Sequence, residues 1–67
     1  MPKEGLKDFL NTIHSKFPNL KSYDETRLFA VLMQAGLGVE FDLDSDGNTT
    51  VSYGEITSDI AENLKQN

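Results

Sequence analysis

Sixty-seven residues with a formal net charge of −5 and no cysteine allow one small domain, here taken as 1–67, and exclude disulfides, thiolate metal sites and a cysteine nucleophile. A chain this short buries only about 60% of its unfolded surface, so a ligand held by the folded state alone would add stability that the core lacks. Charge is unevenly spread: Leu28 to Leu64 contains no lysine or arginine, yet holds Glu40, Asp42, Asp44, Asp46, Glu55, Asp59 and Glu62. Phosphate binding needs clustered cations, so nucleic acid is not an expected partner, whereas a divalent cation or a basic protein surface is.

The N-terminal run Met1-Pro2-Lys3-Glu4-Gly5 lacks the apolar stretch of a leader, and no segment approaches a membrane span, so a soluble cytoplasmic protein is expected. From Lys3 to Phe17, the positions Leu6, Phe9, Leu10, Ile13 and Phe17 recur at helical spacing with polar residues between them. Pro18 disfavours helical geometry at Phe17 and stops this helix. His14 falls on its polar flank and reads as a surface residue. Ser22, with Glu25 three residues on, has the form of a capping box and predicts the start of a second helix. Leu28, Phe29, Leu32 and Ala35 form the buried face of that helix, and Gly36 stands where a left-handed terminating residue is expected.

Beyond Gly36 two readings compete. Val39 to Leu43 alternates apolar and acidic residues, and Thr50 to Tyr53 could pair with it across an Asp46-Gly47 turn as a hairpin. Alternatively, Leu37 to Leu43 is a short helix leading into a metal loop, although Gly36 and Gly38 would each cost it about 1 kcal/mol. Ile56, Ile60 and Leu64 repeat every four residues and predict a last helix from about Tyr53 to Leu64.

Carboxylates at alternating positions, Asp42, Asp44 and Asp46, followed by Asn48, repel one another unless a cation neutralises them. Calcium takes six to eight oxygens, and such spacing is one way to supply them. Asp44-Ser45-Asp46-Gly47-Asn48-Thr49-Thr50-Val51-Ser52-Tyr53-Gly54-Glu55-Ile56 resembles an EF-hand calcium loop with the first residue of its outgoing helix. The resemblance implies side-chain ligands from Asp44, Asp46 and Asn48, a backbone carbonyl from Thr50, a water-bridged contact from Ser52 and a closing carboxylate from Glu55. It departs from the family at Thr49, where glycine is preferred. A second register starts at Asp42 and places Gly47 at the glycine position, but needs an expanded loop to reach Glu55. Phe17 to Asp24 would be a shortened, non-binding partner loop. The implied fold is a mainly α, three- to four-helix EF-hand-like domain with a short β pairing. The alternative is α+β, with two helices, an acidic β-hairpin and a C-terminal helix. The implied function is that of a weak calcium sensor, a buffer or a metal-stabilised module that meets a basic surface or an amphipathic helix.

Two alternatives belong to other classes. Leu37-Gly38-Val39-Glu40-Phe41, then Thr50-Val51 and a last helix, is similar to the second half of acyl and peptidyl carrier proteins. That similarity implies Ser22 as a phosphopantetheine attachment site, with Lys21-Ser22-Tyr23 standing where the family has Asp-Ser-Leu. The other is a small acidic interaction module without metal. No Ser-His-Asp set, catalytic carboxylate pair or phosphate-cradling glycine loop is present, so an enzyme is not expected.

Overall fold

In a computed structural model that describes residues 3–67, the chain forms three strands, three α-helices and one short 3-10 helix. Met1 and Pro2 of the N-terminal run lie outside the described residues. The order is β1 (Lys3–Gly5), α1 (Leu6–Lys16), a one-turn 3-10 helix (Pro18–Leu20), α2 (Glu25–Gln34), β2 (Glu40–Leu43), β3 (Thr49–Ser52) and α3 (Ser58–Lys65). The strands form one antiparallel sheet in the order β1-β3-β2. This α+β architecture corrects the mainly helical, EF-hand-like expectation; an acidic hairpin stands where the metal loop and its incoming helix would be.

Local chemistry accounts for the first part of the change. Gly36 and Gly38 take φ of 89° and 72°, values that end a helix and that L side chains rarely adopt. The Gly36 N–H donates to the Met33 carbonyl (3.0 Å) and the Leu37 N–H to the Leu32 carbonyl (3.1 Å). This is a Schellman cap, with Leu32 and Leu37 both buried as its apolar contact. The chain therefore leaves α2 already extended, and the apolar-acidic alternation of Glu40–Leu43 settles into a strand.

Other boundaries moved as well, some through local capping and some through pairing with distant segments. Lys3–Gly5 is a strand rather than the first helical turn, because it pairs with Ser52, Val51 and Thr50. The cap of α2 is Asp24, whose carboxylate accepts the Arg27 N–H (2.8 Å), and not Ser22. Ser22 is held back in the turn after the 3-10 helix, where the Lys21 and Tyr23 N–H groups donate to the Pro18 and Leu20 carbonyls. The last helix starts at Ser58, with Thr57 as its cap, since Tyr53 runs on from β3 into the core and the Gly54 N–H donates to the Leu37 carbonyl at 2.8 Å. Ile56 thus packs from a loop. At the far end of α3 the Asn19 side chain donates to the Leu64 and Asn67 carbonyls (2.9 and 2.8 Å), tying the end of the chain to the 3-10 helix.

The core is filled by Phe9 and Ile13 from α1, Phe17 at its C-cap, Leu28 and Leu32 from α2, and Val51 and Tyr53 at the sheet, with Leu64 closing it from α3. Val51, fully buried on the central strand, has Glu4 as its partner on β1 and Phe41 on β2. Glu4 thus shares the inward face and accepts hydrogen bonds from the Tyr53 hydroxyl (2.5 Å) and the Thr12 hydroxyl (3.2 Å). Donation to Glu4, together with burial, pushes the Tyr53 pKa up to about 12 from 10.0. A raised folded-state value means that the bond's stabilisation is complete below about pH 10 and is lost as pH climbs toward 12. Urea unfolding across that window should show a loss on the order of 1–3 kcal/mol. Tyr53→Phe should be less stable at neutral pH and lack this part of the alkaline slope; an unchanged slope would exclude the Glu4–Tyr53 bond as its source.

Candidate functional site

The acidic stretch forms a hairpin whose turn is built by one aspartate. The Asp44 N–H donates to the Asn48 carbonyl (2.9 Å), and the Gly47 N–H donates to the Asp44 carbonyl (3.0 Å). Gly47 takes the left-handed conformation (φ 81°) that a three-residue loop with a bulge requires. One carboxylate oxygen of Asp44 accepts both the Asp46 and the Asn48 N–H groups, each at 2.9 Å. These donors, Asn48 first, hold the Asp44 carboxyl below its ordinary value, so it stays ionised as a fixed part of the turn.

The seven residues expected to ligate one cation are spread along this hairpin. Asp44, Asp46 and Asn48 sit at its tip, and Asp42 lies on β2, where its carboxylate accepts the Leu43 N–H (2.8 Å). Thr50 stands opposite Asp42 in mid-strand, with its hydroxyl oxygen shielded and unpartnered. Ser52 pairs with Glu40 at the base, and Glu55 lies beyond Gly54. At about 3.3 Å per residue, Ser52 is roughly 13 Å along the strand from Asn48, while calcium–oxygen contacts are about 2.3–2.6 Å. The expected ligands are thus strung along the hairpin from its tip to its base. Among the described residues no group of three or more His, Asp or Glu side chains could hold a metal ion. Thr49, placed by the resemblance at the left-handed position of the loop, has negative φ and pairs with Leu43 as ordinary strand. With β2 and β3 paired, these donors lie along two strands and a turn and are not gathered around one point.

The same hairpin exposes a surface that sequence reading did not single out. Strand β2 lies at the edge of the sheet, and all four of its residues are exposed. Phe41 and Leu43, on the face shared with Val51, are 52% and 64% exposed. The Phe41 ring meets Phe29 of α2 edge-on (centroids 4.8 Å apart), and Phe29 stacks on the buried Phe9 (5.9 Å, 8° between planes). Met33, one helical turn after Phe29, is 61% exposed. An aromatic row thus runs from the core to an open apolar surface, with Glu40 and Asp42 on the reverse face of the same strand. The signal was present in Phe41 and Leu43, whose alternation with acids is that of a strand with one greasy face, but the pattern does not say whether that face is covered.

The remaining candidates are dispersed. Ser22 is exposed in the turn ahead of α2. His14 is half-buried rather than a free surface residue, and its Nε2 is shielded without a partner. Open grooves lie between α2 and the C-terminus (Val31, Gln34, Asn63, Gln66) and beside Lys16, Ile56 and Lys65; neither gathers an acid–base pair. No described helix is long and apolar enough to cross a membrane. Comparisons with protein-family models, curated proteins and solved structures found no match.

Proposed function

We propose that this chain is a small acidic protein-interaction module that binds a cationic partner protein through the apolar surface of β2 and α2. One observation carries the proposal: Phe41, Leu43 and Met33 are each more than half exposed, Phe41 packs on Phe29 one turn before Met33, and Glu40 and Asp42 lie on the reverse face of β2. Large apolar side chains scattered singly need no explanation, whereas contiguous ones mark docking surfaces. The absence of any lysine or arginine from Leu28 to Leu64 supports a partner of opposite charge.

Selection of random displayed peptides on the whole chain tests this. Enriched ligands are expected to bind at least about tenfold more weakly to the Phe41→Ser/Leu43→Ser variant, since a few central apolar anchors dominate most interfaces. Ligands indifferent to that variant, or none at all, would reject the proposal. Calcium coordination by the Asp44-to-Glu55 loop predicts a different result. It requires β2 and β3 to separate, so millimolar calcium would shift the Glu55 amide and abolish the cross-strand contacts of Thr49–Ser52. On the interaction reading those contacts persist in calcium, and any shifts stay within Asp44–Asn48.

A further inference from the structure

We infer that the free edge of β2 accepts an extended cationic segment of a partner as a fourth strand, a step that rests on the interaction reading and specifies its geometry and chemistry. In an antiparallel ladder, residues alternate between bonding to the neighbouring strand and facing away from it. Because Asp44 bonds to Asn48, the residues bonded to β3 are Asp42 and Glu40, and the N–H and C=O groups of Phe41 and Leu43 point outward. The Leu43 N–H bears this out: it is held by the Asp42 carboxylate rather than by β3. The edge therefore offers main-chain donors and acceptors of the kind that strand addition uses.

Side chains on its two faces define the occupant. An added strand sends alternate side chains to opposite faces. Those on the Phe41 and Leu43 side would cover exposed apolar surface beside Phe29 and Met33, so they are apolar. Those on the other side meet Glu40 and Asp42, so they are lysine or arginine. A cation there also draws the Asp42 carboxylate away from the Leu43 N–H and frees that donor, which couples strand addition to charge. The occupant is not a second copy of this chain. Pairing β2 with itself would bring Glu40 and Asp42 against the same acids, and like charges across strands destabilise a pair. Charged residues on an edge commonly guard it against self-association; here the same charges select a cationic strand.

The test uses the isotopically labelled whole chain and a synthetic peptide of about nine residues alternating valine and lysine, the length of a long strand. The expected result is slowed hydrogen exchange at the Phe41 and Leu43 amides and strand-to-strand contacts between them and the peptide. Replacing the peptide lysines with glutamate should weaken binding at least about tenfold, and added salt should weaken the lysine peptide. Glu40→Lys/Asp42→Lys should reverse the preference between the two peptides. Side-chain shifts at Phe29 and Met33 without protection of the Phe41 amide would overturn strand addition while leaving an interaction surface in place. Dimerisation through β2 in the absence of peptide would overturn the cationic occupant. Silence toward both peptides, with displayed ligands still sensitive to Phe41 and Leu43, would reject the inference alone; silence in both experiments would reject it together with the function proposed above.

Discussion

Phe9→Ala is expected to leave much of the chain unfolded at room temperature. The Phe9 ring is fully buried and makes two aromatic contacts, stacking on Phe29 at 5.9 Å and meeting Tyr53 at 4.9 Å. Removing a buried phenylalanine costs about 3–5 kcal/mol, part lost burial and part cavity. A chain of this length has a total stability of roughly 3–10 kcal/mol, so the loss is comparable with the whole. The same truncation detaches Phe29 from the core, and with it the support of Phe41 at the docking surface. Urea unfolding followed by circular dichroism measures this, with Phe41→Ala as the companion because its ring is half exposed. A Phe9→Ala variant within about 1 kcal/mol of the parent would mean that the aromatic row is not what holds α1, α2 and the sheet together.

Gly54→Ala is expected to cost about 1–3 kcal/mol for a single methyl group. A Cβ at Gly54 would lie 2.9 Å from the Leu37 carbonyl oxygen, which is backbone and cannot swing aside as a side chain would. That carbonyl also accepts the Gly54 N–H at 2.8 Å, so relieving the contact stretches a bond joining the end of β3 to the α2–β2 connection. For a domain of this size the melting midpoint should fall by about 4–8 °C per kcal/mol. Gly5→Ala is the control: its φ is −61° and nothing lies within 4 Å of the added atom. Equal midpoints for the two variants would show that the close approach at Leu37 is not constraining.

The two predictions probe contacts of different legibility. Phe9 is visible as core in the sequence, because its helical spacing with Ile13 and Phe17 needs only local geometry. Gly54 carries no such mark; it lies in what reads as a helical start, and its need for a missing side chain arises from a carbonyl seventeen residues earlier. The acidic residues stand between these cases. Their alternation is plain, but one pattern serves two geometries. Asp44 can offer oxygen to a cation or to the Asp46 and Asn48 amides, and in the fold it serves the amides.

By itself the sequence determined where α1 stops, at Pro18, where α2 must end, at Gly36, the centre of the face each helix buries (Phe9 and Ile13; Leu28 and Leu32), though not Val31, and that the second half of the chain carries no cation before Lys65. Each of these follows from dihedral limits, helical period or charge, all of which act over a few residues. Only the tertiary structure decided between a short helix at Leu37–Leu43 and a hairpin. That choice depends on Thr49–Ser52 finding strands on both sides, and one of them is Lys3–Gly5, a three-residue segment nearly fifty positions earlier with no periodicity of its own. Pairing over such a separation is stabilised collectively by the sheet and the core beneath it, at a loop-closure cost that no local window records. The same long-range pairing leaves β2 as an edge, and so turns an acidic stretch that looks like a cation site into a strand with one side still open.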